Sequence, residues 1–192
     1  MSDGNPCGRL LIGPAYDPNP YCLMHAPDAK DDAAFQKAFD HILDDAGDGL
    51  ADFTRFVFPS ANYEKRSFNA RCVFSEATFV QDANFRECTF ARSASFIGST
   101  FKGRAGFWNA VFREDATFAG VFMQIAGFGS ALFEANAEFG FSKFAEAALF
   151  NSTTFRACAD FSRAKFLGVA EFREARFRDD NELAPGLIFS LT

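Results

Sequence analysis

The recurrence of phenylalanine at fixed, long intervals constrains the fold of this chain more than any other feature. Two Phe series run through residues 68–177, and every step within a series is 11 residues, except for one step of 10 in each. Because neither a strand (period 2) nor a helix (period 3.6) produces that step, the pattern indicates a larger repeated unit. The first series occupies positions 68, 79, 90, 101, 112, 122, 133, 144, 155, 166 and 177, and the second occupies 74, 85, 96, 107, 118, 128, 139, 150, 161 and 172.

A small residue stands two positions before most of these Phe residues, as at Ala83, Cys88 and Ala94. One small and one large side chain pointing inward suit a narrow coil, and stacked coils would build columns of offset aromatic rings. One residue is missing between Phe118 and Phe122. We expect a tightened corner and a local bend or twist change of the rod there, with Gly120 permitting an unusual backbone angle.

The repeated words resemble the units of the pentapeptide-repeat family, which are written A-(D/N)-(L/F)-x-x. Matching units include "ANFRE" (83–87), "ATFAG" (116–120) and "ADFSR" (159–163). The resemblance implies an all-β solenoid, a right-handed quadrilateral β-helix with four faces per coil, over residues 51–181. Every second unit here has one extra residue, which gives 22 residues per coil. We expect the extra residue to bulge at alternate corners.

Residues 30–50 carry a helical pattern. Its apolar stripe consists of Phe35, Phe39, Ile42 and Leu43. The acids near its start are Asp28, Asp31 and Asp32, and Gly47 or Gly49 ends it. Because an open solenoid end exposes strand edges and apolar rings, we predict an N-terminal capping α-helix, with a protein-docking helix as the alternative.

Residues 1–29 form an irregular segment with the words C-G-R and Y-C-x-x-H, which look like a small Cys/His module that precedes some repeats of this branch. Cys22 and His25 have a spacing that lets a thiolate and an imidazole share one Zn²⁺, and Cys7 is a third candidate ligand. A structural zinc site takes four ligands, and no fourth Cys or His is nearby. A metal-free segment packed by its apolar residues is therefore the alternative.

Charge and residue types argue against most other functions. Residues 1–50 hold nine Asp/Glu and three Lys/Arg, whereas residues 51–192 hold 16 of each. The single acids Asp82, Glu87, Asp115 and Glu138 do not form a converging pair, and neither of the two His lies in the repeat, so we expect no enzyme. Trp108 follows an inward Phe107 and is expected to point outward, either as part of a contact surface or packed across a corner.

We therefore expect a non-enzymatic scaffold or protein-interaction module with a protein partner. The alternative, which the resemblance supplies, is a DNA-mimicking regulator of an enzyme such as a topoisomerase, but a neutral repeat is a poor copy of the phosphate lattice. Nucleic acid is not an expected partner. No apolar run approaches the ~18 residues of a membrane helix, so we expect no membrane partner, and unpatterned cysteines favour the cytoplasm.

The C-terminal tail, residues 182–192, ends in the uncharged and β-prone word "LIFSLT". An uncovered last coil would offer a strand edge and a ring of Phe. We expect either that this tail folds back as a short strand and that the protein forms a homodimer through this end, or that the natural chain continues beyond residue 192.

Overall fold

A parallel β-solenoid of about six turns follows a single helix in the computed structural model. The structure describes residues 11–12, 21–22, 24–26, 31–178 and 187–188, with the backbone alone described at 11–12, 21–22 and 187–188. The strands Leu11–Ile12 and Tyr21–Cys22 pair antiparallel ahead of the helix, which spans Asp32–Ala46. The fold predicted from the Phe spacing is confirmed.

Four faces make up the solenoid, and each is a parallel sheet with one short strand per coil. Face 1 consists of Leu50–Asp52, Arg71–Val73, Ala94–Ser95, Ala116–Thr117, Ala137–Glu138, Ala159–Asp160 and Leu187–Ile188. Face 2 consists of Val57–Phe58, Thr78–Phe79, Thr100–Phe101, Val121–Phe122, Lys143–Phe144 and Lys165–Phe166. Face 3 consists of Ala61–Asn62, Ala83–Asn84, Ala105–Gly106, Ala126–Gly127, Ala148–Leu149 and Ala170–Glu171. Face 4 consists of Ser67–Phe68, Thr89–Phe90, Val111–Phe112, Leu132–Phe133 and Thr154–Phe155.

The corners are of two kinds, and we name each by the faces that it joins. Corners 1–2 and 3–4 have four residues, and corners 2–3 and 4–1 generally have three. In a four-residue corner the last N–H bonds back to the first carbonyl, as from Cys88 N to Phe85 O at 3.2 Å. The third residue of these corners has a positive φ, and the residues at that position are Arg55, Lys65, Glu76, Glu87, Gly98, Asn109, Ser130, Phe141, Ser152, Arg163 and Glu174.

Four columns of stacked aromatic rings fill the interior. Each column takes one ring from each coil, and successive ring centroids lie close to the spacing of stacked strands, as for Phe85–Phe107 at 5.0 Å and Phe79–Phe101 at 4.5 Å. The planes of those two pairs differ by only 1° and 2°. The small residues two positions earlier, such as Ala83 and Ala105, are buried beside the rings. The predicted Phe columns are therefore confirmed.

The missing residue falls at corner 1–2, between Phe118 and Phe122, and it is the residue with the positive φ that is absent. Gly120 N bonds to Phe118 O at 2.7 Å, and these two residues are one position closer in sequence than the bonded pair of a four-residue corner. The predicted tight corner is therefore confirmed. The reason predicted for Gly120 is wrong, because its φ is not positive. A Cβ there would lie 2.7 Å from the backbone O of Ser99, so glycine is needed for close approach.

The bend predicted at this corner does not appear in the aromatic columns. Phe122 stacks 4.8 Å from the ring above it and 4.8 Å from the ring below, with planes within 8°. The strand register also continues on both sides, with Thr100 opposite Val121 and Val121 opposite Lys143. The shortened corner absorbs the missing residue locally because its neighbours are held by the ladders on either side.

The helix covers the N-terminal end of the aromatic columns, as predicted. Its buried residues are Phe35, Phe39 and Leu43. The Phe39 ring lies 4.6 Å from that of Phe53 and 4.7 Å from that of Tyr63. Asp31 is the N-cap and accepts from Ala34 N at 3.1 Å, while Gly47 closes the other end. Asp28 lies outside the described residues.

At the other end, the strand Leu187–Ile188 extends face 1. It pairs parallel with Ala159–Asp160, so part of the tail forms the predicted short strand. The rest of residues 182–192 lies outside the described residues. The last rings, Phe166, Phe172 and Phe177, are only partly buried, unlike their equivalents in the central coils.

Candidate interaction surface

Corner 4–1 is a ladder of polar contacts between coils. Asp115 Oδ1 accepts from the backbone N of Asn136 at 3.0 Å, and Asn136 Oδ1 accepts from the backbone N of Cys158 at 3.4 Å. Arg92 and Arg156 pair with Glu114 and Glu134, both at 3.2 Å. These side chains satisfy backbone donors that the corner leaves unpaired, which gives them a structural role.

The acids singled out in the sequence are separate positions on the surface. Asp82 Oδ1 accepts from the backbone N of Arg104 at 2.8 Å, and Glu138 Oε2 accepts from Thr117 Oγ1 at 3.3 Å. Glu87 pairs with the neighbouring Arg86 at 3.1 Å. Within residues 31–178 and the shorter described stretches, no group of three His, Cys, Asp or Glu side chains is placed to hold a metal ion.

Of the predicted zinc ligands, only the side chain of His25 is described. Its Nε2 lies 3.2 Å from the carbonyl O of Thr54, and because a carbonyl only accepts, Nε2 donates. The ring also meets the Phe56 ring edge-on at 5.1 Å, so His25 packs against the first coil. Cys7 and the Cys22 side chain lie outside the described residues, and the zinc site of Cys7, Cys22 and His25 stays a prediction.

The thiols of the first coils are buried and unsuited to nucleophilic chemistry. Burial raises the pKa of Cys72 from its ordinary 9.0 to about 12, and burial raises that of Cys88 to about 11. Cys88 Sγ also lies 2.8 Å from the carbonyl O of Tyr63. Since the thiolate is the reactive form, both residues behave as small packing groups.

Trp108 packs across corner 3–4 onto the next coil, and 38% of its surface remains exposed. A Cβ at Gly127 would lie 2.3 Å from its Nε1, and a Cβ at Gly129 would lie 2.0 Å from its Cζ3. These two glycines therefore form a shelf for the indole, which explains why Gly129 occupies a position where other coils have side chains. The sequence alone did not connect them to Trp108, because they are about 20 residues away along the chain and meet it only through stacking.

Residues 67–111 match a family model described as pentapeptide repeats, in nine copies. The units of that stretch continue through the described solenoid with the same strands, corners and stacked Phe. The solenoid is therefore similar to the pentapeptide-repeat family. Neither the curated proteins nor the solved structures gave a match.

Pentapeptide-repeat solenoids are generally non-catalytic, and the described part of this solenoid has a solid aromatic interior rather than a site around which reactive groups converge. Among the residues that the structure describes, no helix is both long and apolar enough to cross a bilayer. What this rod offers to other molecules is its outer surface.

Proposed function

We propose that this protein is a non-enzymatic scaffold that binds a protein partner on the outside of the rod. The observation that carries the proposal is that surface acids such as Asp82 and Asp115 are hydrogen-bonded to a neighbouring coil, while the interior is filled by rings. The proposal includes a reducing, cytoplasmic setting, which the buried free thiols of Cys72 and Cys88 support.

Trp108 is the residue on which we centre the protein contact. It is the only Trp in the chain, and exposed Trp side chains held in place by packing are typical anchors of protein interfaces. Its glycine shelf fixes the indole before a partner arrives, which lowers the entropy lost on binding.

The DNA-mimic alternative gains no support from the surface charge. A mimic needs acids along the whole rod, yet exposed Lys143 and Lys165 stand directly opposite each other on face 2. We also propose that the partly exposed rings of the last coil pair with those of a second copy, which would hide apolar surface at that end.

The scaffold proposal is tested by cross-linking the tagged protein in its native cell and comparing Trp108→Ala with wild type. A protein captured by wild type and lost from Trp108→Ala, while circular dichroism shows that the variant is folded, is the expected result. Lys102→Ala, an exposed change at corner 2–3 of the same coil, is the control and should retain capture. If no protein is specifically captured, or if wild type and Trp108→Ala capture it equally, the assignment to Trp108 is overturned.

A further inference from the structure

In the second half of the rod, between residues 97 and 171, basic residues gather on one side. Residues 97–171 carry seven Lys/Arg and seven Asp/Glu. Face 2 and its two corners hold five of the basic residues and a single acid, Glu146, whereas the remaining faces and corners hold two Arg and six acids. The five basic residues are Lys102, Arg104, Lys143, Arg163 and Lys165. Between residues 97 and 171, the rod therefore has one basic side.

These five cations lack the partners that comparable residues have elsewhere. Across residues 31–178, none of them forms an ion pair, whereas Arg92 and Arg156 on corner 4–1 are both paired. Lys143 and Lys165 even lie directly opposite each other in the ladder, an arrangement of like charges that opposes pairing of the strands. An anionic surface brought against face 2 would relieve that repulsion.

Exposed apolar side chains concentrate on the same side. Of the eight large apolar residues exposed in the described part of the chain, six lie on the two corners that flank face 2: Val80, Ile97, Met123, Phe141, Leu167 and Val169. Phe141 is 68% exposed, Leu167 is 65% exposed and Val169 is 61% exposed. Apolar side chains gathered on one side in this way mark a surface that contacts another phase or molecule.

Phe141 is the least expected member of this group. It occupies the corner position with a positive φ of 61°, which is unfavourable for a bulky aromatic residue, yet its ring points to solvent. Its described contact is the Arg163 guanidinium, 5.2 Å from the ring centroid. Neither the backbone nor the core gains from a Phe at this position, and the exposed contact with Arg163 contributes only about 0.5–1 kcal/mol.

We propose that face 2, with corners 1–2 and 2–3, docks onto an anionic lipid bilayer. Its two apolar rows would enter the interfacial region while the lysines between them meet the headgroups, the combination that peripheral membrane proteins use. A nucleic acid would satisfy the cations but leave Met123, Leu167 and Val169 without apolar partners. The contact needs no spanning segment, so it revises the sequence-based expectation of no membrane partner.

This surface is separate from the Trp108 contact on corner 3–4. The membrane proposal does not rest on the scaffold proposal, because vesicle binding by the purified protein is measured without a protein partner. Loss of protein capture from Trp108→Ala and loss of vesicle binding from face 2 variants are independent results.

Sedimentation with vesicles tests the proposal. Purified protein should bind vesicles of equal parts phosphatidylcholine and phosphatidylglycerol, bind pure phosphatidylcholine much more weakly, and dissociate as salt is raised. The double change Lys143→Glu with Lys165→Glu should weaken binding by about tenfold or more. Arg113→Glu with Arg156→Glu, on the opposite side, is the matched control and should bind like wild type.

Phe141→Asn separates the docking role from a structural one. Asn tolerates a positive φ better than Phe, so this variant should melt at the same temperature or higher while binding vesicles several-fold more weakly. Ser130→Asn places Asn at the equivalent position of corner 3–4, and this variant should bind vesicles like wild type. Failure to bind anionic vesicles, equal losses in the control variants, or tighter binding to duplex DNA that is insensitive to Phe141→Asn would overturn the proposal.

Discussion

The aromatic columns are covered to different extents at the two ends of the rod. At the N-terminal end, Phe39 and Phe35 of the helix lie on the rings of the first coil, and Phe53 and Phe58 are fully buried. At the other end, the rings of the last coil, such as Phe172, are only partly buried although they stack as regularly as the rest. Because every coil has the same interior, the ends rather than the middle decide how the rod begins to open and what it associates with.

The largest effect is expected from removing the centre of the cap. Phe39→Ala should lower the free energy of unfolding by about 3–5 kcal/mol, since it removes a fully buried ring and leaves a cavity over the first coil. Chemical denaturation followed by circular dichroism measures the change.

The control for Phe39→Ala lies on the same helix. Lys37 is exposed, and Lys37→Ala should change stability by less than about 0.5 kcal/mol. A similarly small effect of Phe39→Ala would mean that the helix does not stabilise the solenoid, and the comparison between the ends would lose its basis.

A smaller effect is expected from the equivalent deletion at the other end. The Phe172 ring stacks on Phe150 at 4.8 Å but is not fully covered, so Phe172→Ala should cost roughly 1–2 kcal/mol. A loss as large as that of Phe39→Ala would show that this ring is buried in solution. Light scattering at tens of micromolar would then distinguish a second copy, which doubles the mass, from cover supplied by the protein's own chain.

The smallest expected effect is a gain in stability from a change at the capped end. Tyr63 occupies a position that is Phe in the coils above it, and its buried hydroxyl lies near the Gln36 side chain but makes no hydrogen bond of normal geometry among the described residues. Burial also raises its pKa well above the ordinary value. Tyr63→Phe removes this unsatisfied group and should stabilise the protein by about 1 kcal/mol, seen as a higher melting temperature. Destabilisation would indicate that the hydroxyl has a partner and that the cap is polar at this point.

The sequence predicted the parts of the fold that one physical rule controls. The columns follow from the rule that each corner places one Phe side chain in the interior. The helix follows from the spacing of Phe35, Phe39 and Leu43 and from the N-cap at Asp31. Gly120 was assigned the wrong reason because close approach to Ser99 depends on the neighbouring coil, which local sequence does not display.

The candidate surfaces were harder to predict, for a related reason. Whether a charged or apolar residue belongs to face 2 depends on its corner, and the five-and-six alternation had to be converted into four faces first. The positive-φ positions carry seven residue types, so composition does not mark them; the closing hydrogen bond imposes the conformation whatever the side chain. For the zinc ligands, Cys7 and the Cys22 side chain lie beyond what the structure describes.

The two buried thiols can report local opening of the solenoid. At neutral pH the raised pKa values keep Cys72 and Cys88 protonated, so an alkylating reagent reacts with them only during the moments when their coils separate. Both lie near the helix, while Cys158 is half-buried toward the other end. The rates at which Cys72 and Cys88 are modified would therefore record how often the coils next to the helix separate, without any probe added to the chain.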